Sequence, residues 1–297
     1  MCLFRRRELG FAEFVCEIRD FHLPHSGHVQ FAQWLHPYDT PKVVTQSAVG
    51  ALQQFVSPGD FVIDVGAHAG DTTVPLAIAA GPAGCTLALE PNRYVFKVLE
   101  VNASLNRDKT NIVPRSFAAT AEDGKFVFHY SDASFCNGGF KSQQRWRLYR
   151  RKYPLEVQGR NLLAMLRSEF AAWLPKLSYV KVDAEGYDRA ILTSILPVVR
   201  QWRPVIRTEV FRKLVKSERH ALYDLLSDVG YRVYRYRDNA DPLGRTNRPP
   251  RHDPREATRH PGGAGRRHEV AQPDDRTGRL SDQSQAASGD CRRPHVF

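Results

Sequence analysis

The chain has 297 residues, 42% of them hydrophobic, enough to bury a sizeable core in one large or two small domains, which excludes a wholly disordered protein. Lysine and arginine number 43 against 32 acids, and the net charge of +11 raises nucleic acid, membrane surfaces and anionic substrates as partners. The five cysteines, Cys2, Cys16, Cys85, Cys136 and Cys291, are odd in number and form no CxxC pair, which argues against a disulfide framework or a thiolate zinc site and for a reducing, cytoplasmic setting. The N-terminal stretch begins with basic residues, but Glu8, Glu13, Glu17 and Asp20 interrupt its apolar run, so it lacks the core of a signal peptide. No segment approaches the roughly eighteen apolar residues of a membrane span.

Residues 1–44 are mixed in pattern, with Phe21, Phe31, Trp34 and Tyr38 among them, and are expected to form a cap over a sheet edge or a lid over substrate. From there to about residue 238 short apolar runs alternate with segments of helical period, the signature of a parallel sheet covered by helices. "TQSAVGALQQFV" predicts a helix, "SPGD" a turn, and "FVIDVG" the first strand. "DTTVPLAIAAG" predicts a helix stopped at Gly81-Pro82, "CTLALEP" a second strand, "YVFKVLEVNASLN" a helix and "NIVPRSFAA" a third strand. "KFVFHYS" alternates like a hairpin arm, and "NLLAMLRSEF" is helical. "LSYVKVDAEG" (strand), "DRAILTSILPVV" (helix), "RPVIRTEV" (strand), "ERHALYDLLSDVG" (helix) and "YRVYRYR" (strand) complete a doubly wound α/β domain.

Residues 239–297 differ in kind. Eleven arginines, eight acids and no lysine stand there with few large apolar residues, so the segment cannot build a core. It is either a disordered basic tail or coding sequence read out of frame, and it carries +3 of the net charge.

The chemistry concentrates where the first strand ends. "DVGAHAGD" puts Asp64, Gly66, His68, Gly70 and Asp71 at the carboxyl edge of the sheet, where open α/β folds bind ligands. Glu90 ends the second strand about twenty residues beyond that loop, the spacing at which an acid accepts hydrogen bonds from ribose hydroxyls. A dinucleotide fingerprint requires a glycine at position 68 and a third at 71, and the carboxylates of Asp64 and Asp71 would repel a pyrophosphate. A ligand with a ribose, an ammonium and a sulfonium fits better, and S-adenosylmethionine has all three. An NAD-dependent oxidoreductase is the alternative in another class, and a basic nucleic-acid-binding protein, suggested by charge alone, is a second.

The stretches "VIDVGAHAGD", "ALEPNRYVFKVLEVNASLN", "YVKVDAEGYDRAIL" and "RPVIRTEV", in that order with "DGKFVFHYSD" between the second and third, resemble the FkbM family of S-adenosylmethionine-dependent methyltransferases from about Val43 to Arg237. The resemblance implies a class I methyltransferase fold, with Asp64, Gly66 and Gly70 around the methionine moiety, His68 in the place of a customary asparagine, Glu90 on the ribose, and Asn102 in the cofactor motif. It further implies a hydroxyl acceptor on a sugar or another small or glycosidic metabolite; a nucleic acid partner is not expected, since the folded part carries no second basic cluster beside 145–152. The family's closing strand after "GYRVYRYR" is not visible in the sequence.

Asp183 and Glu185 in "VKVDAEGYD" would emerge into the same crevice, able to take a hydroxyl proton, orient the acceptor or bind the cofactor. Glu209 ends the next strand as a further candidate, and Lys181 reads most simply as half of an ion pair. No metal site is expected; Asp183, Glu185 and Asp188 are the set that could form one. Asn106 reads as a helix cap, Asn137 in "CNGGF" as part of a turn, and "RWRLYRRK" at 145–152 as a solvated helix or a lid for an anionic substrate.

Overall fold

The computed structural model describes residues 12–130, 153–211, 214–235 and 268–273, the last six and Arg235 by backbone alone. Asn137, the basic run 145–152 and most of the tail lie outside the described residues.

The N-terminal region opens with an antiparallel hairpin, Cys16–Leu23 (β1) and Gly27–Trp34 (β2), in register from Cys16 opposite Trp34 to Leu23 opposite Gly27. β2 is covered on both faces: Val29 and Phe31 meet Val49 and Val74, while Ala32 and Trp34 meet Val95 and Val98. A short helix, Gln46–Leu52 (α1), follows, its first turn capped by the Thr45 hydroxyl accepting from the Ala48 N–H at 3.2 Å. It ends earlier than its apolar pattern predicts because the chain already turns towards Ser57-Pro58-Gly59.

The expected alternation then appears. Phe61–Val65 (β3), Cys85–Leu89 (β4) and Ile112–Arg115 (β5) are parallel neighbours. β3 and β4 are buried at every position, as continuous apolar strands between two helical layers must be. Thr73–Ala80 (α2) joins β3 to β4; almost all of it is buried, because it lies between the sheet and α1. Arg93–Ser104 (α3) joins β4 to β5 and buries Val95, Val98, Leu99 and Asn102 on one face.

"NIVPRSFAA", expected as one strand, is two: β5 in the main sheet and Ala118–Thr120 (β6) in a separate one. β6 pairs in parallel with Tyr153–Asn161 (β8), which also pairs antiparallel with Gly124–Tyr130 (β7). Leu162–Glu169 (α4) leads to Leu177–Val182 (β9). The next helix is also divided, into Asp188–Ser194 (α5) and Leu196–Trp202 (α6), since Pro197 has no N–H with which to continue a helical ladder. Val205–Glu209 (β10), Lys216–Ser227 (α7) and Tyr231–Arg235 (β11) complete the predicted series.

One more strand comes from the tail. His268–Pro273 (β12) pairs antiparallel with both β10 and β11, so the main sheet runs β11-β12-β10-β9-β3-β4-β5. The closing strand that the sequence does not reveal is therefore present, about thirty residues beyond β11 and inserted before it in the sheet. Short polar runs such as "HEVAQP" carry too little apolar periodicity to be recognised as strands.

Candidate active site

The carboxyl ends of β3, β4, β9 and β10 converge on a cavity of about 520 Å³. Gly66, His68 and Asp71 from the loop after β3, Glu90 after β4, and Lys181, Asp183 and Glu185 from β9 and its following loop all line it. The glycine loop can take this course only because Gly66 has φ 79° and a Cβ there would stand 2.1 Å from the Asp183 carbonyl oxygen. Gly70, at φ 101°, serves packing instead: its missing Cβ would face Leu99 Cδ1 at 3.2 Å.

Glu90 is held rigidly. Its Oε2 accepts from the His68 N–H at 2.9 Å and its Oε1 from the Asn92 N–H at 2.7 Å. Burial pushes its carboxyl up to about 7 against the pull of those two N–H groups. Each carboxylate oxygen has more than one acceptor direction, so a pinned, cavity-lining Glu90 can also receive a pair of vicinal hydroxyls.

Behind the glycine loop lies a buried ion pair. Asp64 Oδ1 accepts from Lys181 Nζ at 2.8 Å, Asp64 Oδ2 accepts from the Thr73 hydroxyl at 2.7 Å, and Lys181 also donates to the Gly66 carbonyl at 3.1 Å. Burial works against the charge of Lys181, but Asp64 and then Asp183 outweigh it and hold the ammonium above its ordinary range. Asp64 thus braces the loop from behind and does not line the cavity. The plain ion-pair reading of Lys181 describes its partner, and Lys181 reaches the cavity wall as well.

Asn102 also stands behind the wall. Its amide donates to the carbonyls of Ala32 (3.0 Å) and Ala69 (2.7 Å), and its Oδ1 accepts from the Ala32 N–H at 2.7 Å. Four residues on, Asn106 makes the matching pair with Gln30, both at 2.8 Å, while adopting φ 54° just past the end of α3. The helix-cap reading of Asn106 captures the backbone and misses the partner strand.

Where Asp183 and Glu185 line the cavity, their carboxylates meet that of the buried Glu209. Among the described residues, Asp183, Glu185 and Glu209 place one oxygen each within 4.8 Å of one another, close enough to share a proton or a cation. The backbone arranges this. Glu185 and Gly186 adopt φ 52° and 100°, turning the chain sharply after β9, and Glu209 ends the neighbouring parallel strand. Asp188 takes no part in the trio. Its carboxylate accepts from the N–H groups of Ala184 (3.3 Å) and Gly186 (3.0 Å) and from the Thr208 hydroxyl (3.3 Å), and burial, then the charge of Asp183, pushes it up to about 7.

Residues 64–233, more than half of the chain, match the Methyltransferase FkbM domain. The chain belongs to the FkbM methyltransferase family. No curated protein matches it. Among solved structures it is similar to methyltransferase FkbM from Methylobacillus flagellatus, at 12% identity and TM-score 0.43 over 73% of this chain and 44% of that one, so it spans less than half of that protein. It is also similar to an O-methyltransferase from Bacillus cereus in complex with SAH (11% identity, TM-score 0.42, 81% of this chain and 84% of that one). A SAM-dependent O-methyltransferase from Thermotoga maritima gives 12% identity and TM-score 0.38, covering 88% of this chain and 87% of that one. Scores this low carry no argument; the family match does.

Several lining residues of the FkbM chain escape sequence reasoning. Arg207, 5% exposed, faces the cavity two residues before Glu209, and strand alternation alone would have found it. Phe128 and Tyr130 likewise alternate in "KFVFHYS". Phe117–Ala119 and Tyr187 carry no local signal, because only the tertiary fold brings them to this edge, whereas Tyr38, Asp39, Thr40 and Lys42 belong to the N-terminal region expected as a cap or a lid. Among the described residues no helix is long and apolar enough to cross a membrane.

Proposed function

We propose that this FkbM family member transfers a methyl group from S-adenosylmethionine to a hydroxyl of a sugar or another small or glycosidic metabolite. The observation that carries this reading is one cavity with the doubly anchored Glu90 on one side and, on the other, Asp183 and Glu185, whose carboxylates gather with that of the buried Glu209. Bound S-adenosylmethionine supplies an electrophilic methyl group on its sulfonium. Glu90 fits the ribose hydroxyls, Gly66 and His68 the adjoining backbone surface, and the apolar wall of Phe117, Ala118 and Ala119 the base.

The acceptor end does the remaining work. Methyl transfer requires alignment of the hydroxyl and removal of its proton, and no covalent enzyme intermediate. Asp183 or Glu185 takes that proton; the other carboxylates, with Arg207 and Tyr187, orient the acceptor. Carboxylates beside aromatic rings suit a neutral polyhydroxylated acceptor, whose hydroxyls donate and whose C–H faces stack.

The neutral isosteres test the assignment. With labelled donor and a panel of glycosides as acceptors, Asp183→Asn or Glu185→Gln should slow methyl transfer roughly 10²–10⁴-fold while S-adenosylhomocysteine affinity stays within about threefold. A parallel loss of affinity would make that residue a cofactor ligand. Full rate in both variants would remove both from proton transfer.

A further inference from the structure

The N-terminal hairpin has one edge closed and one edge free. On β2 the N–H and C=O groups of Gln30 and Ala32 point away from β1 and are taken by Asn106 and Asn102. In the register of the hairpin Gln30 stands opposite Asp20 and Ala32 opposite Ile18. Backbone groups of an antiparallel strand point alternately to its two sides, so Ile18 and Asp20, with Cys16 and His22 in phase, aim theirs away from β2. The Val15 carbonyl, one residue out of phase, points inward and accepts from the Leu35 N–H at 3.0 Å. Among the described residues no strand pairs with the free edge of β1.

Free edges are ordinarily kept short, or guarded by lysine, proline or a bulge. β1 has none of these guards: its eight residues, CEIRDFHL, run in unbroken register. Val15 and Ile18 beside this edge are 74% and 48% exposed. A two-fold axis relating two antiparallel edges stands perpendicular to the sheet and keeps its faces, so it passes through one residue and that residue's copy. Centred on Glu17, Arg19 or Asp20, such an axis sets a charge against its own copy. Centred on Ile18, it sets isoleucine against isoleucine, Glu17 against Arg19 of the second copy, and Val15 against Phe21 of the second copy. Ile18 then exchanges both backbone hydrogen bonds with its copy, and the Glu17–Arg19 contacts fall at the closer, non-hydrogen-bonded positions. Within one chain Arg19 Nη2 stands 3.6 Å from Glu17 Oε2 at 35% and 59% side-chain exposure, which leaves both open to a second partner.

We propose that β1 pairs antiparallel with β1 of a second copy of this chain about a two-fold axis at Ile18, joining two hairpins into one sheet in the order β2-β1-β1-β2. The charge pattern of the edge selects a second copy as the occupant, because the same short stretch supplies both halves of each pair. The pairing extends the hairpin on the side opposite the asparagines and leaves the cavity untouched, so it stands independently of the methyl-donor reading.

Sedimentation equilibrium of the full chain, under reducing conditions that keep Cys16 from linking chains, tests it. Wild type should dimerise. Glu17→Lys and Arg19→Glu each set like charges together on both sides of the axis, and each should weaken the dimer at least about tenfold. An equimolar mixture of the two variants brings the introduced lysine opposite the introduced glutamate and should associate as tightly as wild type. Ile18→Lys, which puts a charge on the axis, should leave a folded monomer by circular dichroism. A monomeric wild type overturns the proposal. A wild-type dimer that both charge variants preserve places the interface elsewhere and overturns it too, and charge variants that dissociate alone without recovering in the mixture overturn the register.

Discussion

Glu90 occupies an uncommon position for a carboxylate: buried, fixed by two backbone N–H groups, and pushed up to about 7 by burial. A ribose diol needs its ionised, accepting form. Lowering the pH through 7 protonates the free protein and removes an acceptor, so affinity is full above that value and lost below it. S-adenosylhomocysteine should therefore bind about tenfold more weakly at pH 6 than at pH 8. Glu90→Ala should bind roughly ten- to a hundredfold more weakly than wild type at pH 8 and lose most of that pH dependence. A Glu90→Ala protein that keeps the wild-type profile would place the titration elsewhere. Glu90 was legible in the sequence because a strand-end acid at a fixed distance from a glycine loop is a local feature. Asp64, Gly70 and Asn102, singled out by the same motifs, are not among the lining residues, since spacing along a chain does not reveal whether a side chain faces the cavity or the layer behind it.

Between α3 and β2 the two asparagines act as a substitute strand. Their amides, one helical turn apart, meet the backbone of Gln30 and Ala32, two residues apart on the outer edge of the hairpin. Only Asn102 extends the ladder to the Ala69 carbonyl in the glycine loop. Replacing either by alanine leaves buried or half-buried backbone groups without partners, at about 1–3 kcal/mol each. Both Asn102→Ala and Asn106→Ala should lower the melting temperature, but only Asn102→Ala should also weaken S-adenosylhomocysteine beyond threefold. Identical affinity losses, or none in either, would show that Asn102 has no special hold on the loop. This link was invisible to sequence reasoning because it joins residues seventy apart. The helices and central strands were visible because their periodicity is local; the division at Pro197 was missed although proline marks it.

At the scale of the molecule, the main sheet of the described residues closes with β12, which runs against its neighbours and lies between β10 and β11. Composition made the tail look dispensable, and a strand of six mostly polar residues gives no warning of its place. A chain ending at Arg237 would expose the edge of β10, leave β11 without a partner and invite edge-to-edge association. It should melt about 5 °C or more below a chain ending at Asp274, and aggregate more readily. Equal melting temperatures would show that β12 adds nothing to stability.

The claim that this fold holds a methyl donor, and not a dinucleotide, is tested most directly by calorimetric titration of the full chain with S-adenosylhomocysteine and, separately, with NAD⁺ at pH 8. One site for S-adenosylhomocysteine and no heat from NAD⁺ are expected, since the loop from Gly66 to Asp71 places the Asp71 carboxylate on the cavity wall and lacks the glycines that bring backbone N–H groups to a pyrophosphate. Binding of NAD⁺ without binding of S-adenosylhomocysteine would contradict it.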